Sequence, residues 1–90
     1  MKAVIVHYAG RVQGVGFRFT AKSLARGFDV VGTIKNLPDG RVEQHVQGDA
    51  DEVDAFLQAL RESVLAGHIQ EESLQPGTVE SGLRGFRILD

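Results

Sequence analysis

Two runs rich in β-branched residues, Ala3 to Ala9 and Val30 to Asn36, flank a segment with glycines at 10, 14 and 16. That segment continues with Phe17, Ala21, Leu24 and Ala25 at helical spacing and reaches Gly27, where a helix C-cap glycine belongs. Strand, glycine turn, helix and strand make a crossover unit, which leaves the two strands parallel, with their carboxyl ends on one edge of the sheet. Few chain paths satisfy that order in so short a protein.

The remaining elements fall around this unit. Leu37-Pro38-Asp39-Gly40 is turn chemistry, proline presetting φ and glycine accepting a positive value, so residues 30–47 read as a β-hairpin. Asp49, with Glu52 three residues on, predicts a capped helix start. Val53, Phe56, Leu57, Leu60 and Val64 form that helix's apolar stripe. Ile69 to Leu74 is a weaker strand interrupted by Glu71 and Glu72; Gln75 to Gly85 reads as a loop, and Phe86 to Leu89 as a short last strand. The order β-α-β-β-α-β with a short extra C-terminal strand predicts an α+β ferredoxin-like sandwich, two helices covering one face of a mainly antiparallel sheet. That fold serves many functions and selects none of them.

Ninety residues are expected to form a single domain over 1–90, burying about 60–65% of the surface of the unfolded chain. Hydrophobic residues at 42% and charged residues at 24% match an ordinary soluble domain. A net charge of −2 argues against a partner recognised through its phosphate backbone. The absence of cysteine excludes disulfides, thiolate chemistry and cysteine-ligated zinc. No apolar run approaches the roughly 20 residues that span a bilayer, and the first residues read as a buried strand rather than a signal peptide. A cytoplasmic location and no membrane partner are therefore expected.

The stretch Gly10 to Thr20, GRVQGVGFRFT, admits several readings. A dinucleotide-binding fingerprint needs a third glycine where Phe19 stands, and a P-loop needs Gly-Lys-Ser/Thr; both fail. Gly16-Phe17-Arg18-Phe19 faintly resembles the aromatic motif of RNA-recognition modules, but that motif lies on exposed strands, and Tyr8 and His45 are thin material for stacking bases. A third reading is an anion cradle. The glycines let successive N–H groups point inward, and the helix start adds unpaired donors and the positive end of its dipole. Arg18 is mildly disfavoured there, by about 0.3–1 kcal/mol, unless a bound dianion reverses the sign. From spacing alone, a plain strand-to-helix turn with a solvated arginine stands at least level with the cradle. Asn36, at the end of the second strand, lies on the same sheet edge, about 10 Å away across one intervening strand, although an asparagine before a turn is most simply turn chemistry.

Gly10-Arg11-Val12-Gln13-Gly14-Val15-Gly16-Phe17-Arg18 closely resembles the signature loop of the acylphosphatase family. Gly32-Thr33-Ile34-Lys35-Asn36 with Asp39-Gly40-Arg41-Val42-Glu43 resembles its second block, Gly48-Asp49 through Phe56-Leu57 its second helix, and Gly85-Phe86-Arg87-Ile88 its last strand. The resemblance covers nearly the whole chain. It implies that Arg18 binds the phosphate of an acyl phosphate, that Asn36 orients the attacking water, and that the backbone amides of Gly14, Val15, Gly16 and Phe17 complete the cradle. It implies hydrolysis of the carboxyl–phosphate anhydride without metal or cofactor, with inorganic phosphate or sulfate as competing anion; no nucleic-acid partner is expected from the charge, and a monomer is the default. Thr33, Gln44 and Glu72 depart from the family pattern, at positions of packing rather than chemistry.

Other residues have plainer readings. His7, His45 and His68 are too scattered to mark a metal site, and Asp49, Asp51, Glu52 and Asp54 suit a helix start better than a cation. Tyr8 and Phe19 could meet the acyl group, Tyr8 being more simply a core residue, while Lys35 points to the opposite face. Similar domains also occur within hydrogenase-maturation carbamoyltransferases, where proline commonly follows the arginine; here it is Phe19. A non-catalytic phosphate- or RNA-binding module is the alternative.

Overall fold

The computed structural model describes residues 1–89. Eight elements follow in order: β1 (Lys2–Gly10), α1 (Phe17–Ala25), β2 (Val30–Asn36), β3 (Val42–Gly48), α2 (Ala50–Arg61), a 3₁₀ turn (Ala66–His68), β4 (Ile69–Pro76) and β5 (Phe86–Ile88). The strands form one five-stranded sheet in the order β4-β1-β3-β2-β5. β3 lies between β1 and β2 and runs antiparallel to both, so β1 and β2 are parallel and one strand apart, as a crossover requires. Only β5 adds a parallel pair, against β2. This is the expected α+β ferredoxin-like sandwich.

Alternation along the strands decides which face is covered. Val4, Val6 and Tyr8 of β1, Ile34 of β2, and Val42 and Val46 of β3 are buried against the helices. Ala21 and Ala25 let α1 approach closely, while Phe56, Leu57 and Leu60 carry the weight of α2. Phe56 sits at the centre, its ring 6.0 Å from Phe28 and 5.6 Å from Phe86. Such a ring, wholly buried, is worth about 3–5 kcal/mol against truncation to alanine. The short β5 is held to the sheet in part by this aromatic row.

Several local expectations change. Gly27 follows the α1 C-cap, Arg26, but does not take a positive φ; the helix tightens instead into a last turn through Gly27 N–H to Leu24 O (3.0 Å) and Phe28 N–H to Ala25 O (3.1 Å). Asp49 is the N-cap of α2 but makes no capping hydrogen bond, and the Glu52 carboxylate accepts from the Asp29 N–H at 2.7 Å rather than closing a capping box. Val64 lies beyond the end of α2 and is exposed; Leu65, in the following turn, fills the core position instead. β4 runs on to Pro76 because its pairing with β1 continues through Val4.

Two of the three departures from the family pattern find partners. Glu72 pairs with Arg61 at 2.9 Å, and Gln44, wholly buried, reaches the Tyr8 hydroxyl. Thr33 is half-buried on the open face of the sheet, among residues that border a shallow cavity there.

Candidate active site

The β1–α1 loop is pinned at its beginning and open at its end. At Gly10 the pairing of β1 with β4 shifts register, and φ is +131°. A Cβ there would lie 2.5 Å from the His68 carbonyl oxygen, which in turn accepts from Arg11 N–H at 3.0 Å. Only glycine fits that approach. Val12 is buried in the core, and Gln13 crosses to the β2–β3 turn, donating Nε2 to Leu37 O at 2.8 Å and to Arg41 O at 3.0 Å.

Beyond Gln13 the backbone turns through positive φ at Gly14 (+79°) and at Gly16 (+76°), the latter being the N-cap of α1. Among the described residues, the N–H groups of Gly14, Val15, Gly16, Phe17, Arg18 and Phe19 donate to no protein acceptor; the first bond of the helix is Thr20 N–H to Gly16 O. No acidic residue occupies the first turn. The result is a cluster of unclaimed donors at the positive end of a helix, chemistry that suits an anion. Phe17 turns its ring into the core, 5.0 Å from Tyr8, so it has only its backbone to offer the loop's outer side.

Arg18 is half-buried on α1 and makes no ion pair or side-chain hydrogen bond among the described residues. Its guanidinium is uncommitted, beside donors that are also uncommitted. Nothing at hand cancels that positive charge.

Asn36 ends β2. Two-residue alternation puts it on the face of Gly32 and Ile34, toward the helices, with Lys35 on the other side. It is level with Val42 of β3, and Val42 is level with Tyr8 of β1, so Asn36 faces the end of β1 across one strand. Its side-chain oxygen Oδ1 is buried and accepts no hydrogen bond from the protein. Leaving a buried acceptor without a donor costs about 1–3 kcal/mol, so this oxygen is a point on the sheet edge where the chain's own hydrogen bonding is incomplete.

The sequence candidates thus fall on one sheet edge: the 14–18 amides and Arg18 beyond β1, Asn36 at the end of β2, and the Gln13 bridge tying the two loops. Sequence reading gave Gln13 no role; its one signal was a long amide side chain set among glycines. Tyr8 is wholly buried and leaves the list of acyl-group contacts, whereas Phe19 is 69% exposed at the start of α1. The RNA reading loses Tyr8, which faces the core, and keeps only His45, bound at its ring edge to the Glu43 carboxylate at 3.3 Å. Two concavities, about 330 Å³ on the open face of the sheet and about 360 Å³ beside the end of α1, do not include this loop. A small tetrahedral anion held by backbone donors needs a crown of N–H groups rather than a deep cavity.

Comparison with known proteins places the chain by family and fold. The Acylphosphatase family model matches residues 4–88. An acylphosphatase of Bordetella parapertussis is 46% identical over 99% of this chain and 95% of its own. The crystal structure of acylphosphatase from Bacillus subtilis superposes with a TM-score of 0.89 at 29% identity, covering all of both chains. HypF from T. kodakarensis matches with a TM-score of 0.85 at 28% identity, over all of this chain but 12% of that one. With the family model matching nearly the whole chain and relatives alike in sequence and in fold, the chain belongs to the acylphosphatase family.

Proposed function

We propose that this acylphosphatase hydrolyses small acyl phosphates with Arg18 and the 14–18 loop amides binding the phosphoryl group and Asn36 orienting the attacking water. The transition state for phosphoryl transfer is loose, with charge spread over the equatorial oxygens, so catalysis reduces to positioning and charge stabilisation. The donors of Gly14, Val15, Gly16 and Phe17 and the Arg18 fork would meet those oxygens. Water adds to phosphorus as the anhydride P–O bond breaks, and that bond's electron pair leaves on the carboxylate. The leaving group's reference pKa is about 4, so it departs without a general acid. The water's second proton passes to a phosphate oxygen.

The buried, unpartnered Oδ1 of Asn36 supports this reading most directly. It is an acceptor with nothing to accept, on the sheet edge where the anion donors gather, and a rotation of the side chain that exposes it would let a water's O–H supply what it lacks. Residues 1–90 act as one domain in this reading, monomeric and cytoplasmic, with inorganic phosphate or sulfate competing for the cradle. Monoesters, whose alkoxide leaving groups need an acid, are poor substrates.

The test is benzoyl phosphate hydrolysis in the presence of EDTA, with inorganic phosphate as competitive inhibitor. The parent chain should turn over, and Asn36→Ala should lose most of its kcat while its inhibition constant for phosphate stays nearly unchanged. Parental kcat in Asn36→Ala overturns the water-orienting role, and loss of activity in EDTA with rescue by magnesium overturns the metal-free chemistry.

A further inference from the structure

Among the described residues Gln13 is the one side chain that hydrogen-bonds across the two halves of the site, and the proposed mechanism makes no use of it. Its amide nitrogen gives both hydrogens to carbonyls of the β2–β3 turn, Leu37 O at 2.8 Å and Arg41 O at 3.0 Å. Those carbonyls already belong to the turn's own closing bonds. Leu37 N–H donates to Arg41 O at 2.8 Å and Gly40 N–H to Leu37 O at 3.1 Å. Gln13 therefore docks on the mouth of a formed turn rather than helping to form it. Leu37 follows Asn36 directly, and Gln13 immediately precedes Gly14, the first amide of the cradle. A single primary amide thus fixes where the anion donors stand relative to the Asn36 oxygen.

Two features make such a link necessary. β3 separates β1 from β2, so the strand ends are coupled only across an intervening strand. The loop between them also carries positive-φ glycines at 10, 14 and 16, whose backbone is the most permissive available. The cradle itself has other anchors, since Val12 is buried and Arg11 N–H is held by His68 O at 3.0 Å. Loss of Gln13 would leave the cradle formed but free to shift relative to Asn36. In-line attack tolerates little of this, because a misplacement of about 1 Å costs up to about 100-fold in rate.

We infer that Gln13 is a positioning residue for hydrolysis, an amide clamp that sets the register between the phosphate cradle and the water-orienting Asn36. The inference rests on the site reading given above and adds to it a residue that touches neither phosphate nor water. Its signature is a loss in kcat alone, present only while Asn36 is there to be positioned.

The experiment is a double-mutant cycle with Gln13→Met, which keeps the side chain's length and removes both donors, and Asn36→Ala. Each protein is assayed for kcat on benzoyl phosphate, for inhibition by inorganic phosphate and for Tm. Gln13→Met is expected to lower kcat about 10- to 100-fold, to move the phosphate inhibition constant less than about threefold, and to lower Tm by no more than about 8 °C. In the Asn36→Ala background the same substitution should cost less than about threefold. Three results would overturn the clamp while Asn36→Ala alone remains impaired: parental kcat in Gln13→Met, an equal loss in both backgrounds, or phosphate affinity falling in step with kcat. Parental kcat in Asn36→Ala alone would instead overturn the underlying site reading, and the clamp with it.

Discussion

Gln44 donates its side-chain amide to the Tyr8 hydroxyl at 3.2 Å, with both residues wholly buried between sheet and helices. The other end of the Gln44 amide, Oε1, is buried and has no partner. Burial, and next the nearby Glu72 carboxylate, push the Tyr8 hydroxyl well above its ordinary range, so it stays protonated. A long hydrogen bond and an orphaned acceptor in a core position are a poor bargain beside apolar packing.

The pair should therefore be replaceable only as a pair. Tyr8→Phe alone strips Gln44 of its one partner and is expected to destabilise the fold by about 1–3 kcal/mol. Tyr8→Phe with Gln44→Leu removes every unsatisfied group together, and should restore or exceed parental stability. Urea unfolding of the three proteins checks this; a double variant no more stable than Tyr8→Phe would show that the amide contributes something the hydrogen-bond inventory omits.

Much of this architecture was readable from periodicity, and the misses share a cause. The β-branched composition of Ala3 to Ala9, the stripe Val53, Phe56, Leu57 and Leu60, and the Pro38-Asp39-Gly40 turn are local patterns, and each forms as read. Arg18 and Asn36 came from the motif, and the crossover rule placed them on one sheet edge. What escaped depends on partners distant in sequence. Glu52 is claimed by Asp29 N–H, so it caps nothing. Gln13 finds carbonyls 24 and 28 residues away, a contact no period encodes. Val64 continues the apolar stripe in sequence, but α2 stops at Arg61 and Leu65 takes the inward place. The unpaired oxygen of Asn36, on which the site reading most depends, is a property of packing alone.

On the open face of the sheet, Glu43 binds His7 at 2.9 Å, His45 at 3.3 Å and Lys35 at 3.8 Å. Partial burial raises the carboxyl, but the His7 hydrogen bond, with the charges of His45 and Lys35, outweighs it, and the net position is below the usual 4.5. The folded state thus holds the Glu43 proton less tightly than the unfolded chain. Its stabilising contribution is complete above the unfolded value and disappears as pH falls through the lower folded one. Glu43→Gln should therefore flatten the loss of stability below about pH 4.5, as read from urea midpoints across pH 2–6. An unchanged acid limb would assign acid unfolding to other carboxylates.

Gly16 holds φ at +76° with nothing within 4 Å of where a Cβ would stand, so alanine there meets no clash and only an unfavourable dihedral. The conformational cost is about 1–2 kcal/mol. Relaxing it would turn the adjacent amides out of the cradle. Gly82, with φ +86° and equally open surroundings, lies far along the chain in the segment before β5 and supplies the control. Gly16→Ala should weaken phosphate binding about tenfold or more, whereas Gly82→Ala should lose similar stability and leave the phosphate inhibition constant unchanged. Equal phosphate affinity in both variants would mean that the left-handed turn at Gly16 serves only the chain path.

Arg18 is the half-buried cation of the site, without a carboxylate partner among the described residues, at the helix end where a cation is least favoured. Removing it should relieve that local repulsion, so Arg18→Ala is expected to be neutral or slightly stabilising in the absence of ligand. Its activity should fall about 10³-fold or more, the scale of arginines that face transferring phosphoryl groups. Lysine separates charge from shape: it keeps the cation but presents a point charge in place of a planar fork. Arg18→Lys should therefore recover part of the phosphate affinity and little of the turnover, because a point charge holds the dianion without fixing its rotation. Benzoyl phosphate kinetics with phosphate inhibition and Tm on the three proteins measure this. A large loss of unliganded stability in Arg18→Ala, or full kcat in Arg18→Lys, would show that the guanidinium fork is not what grips the transferring group.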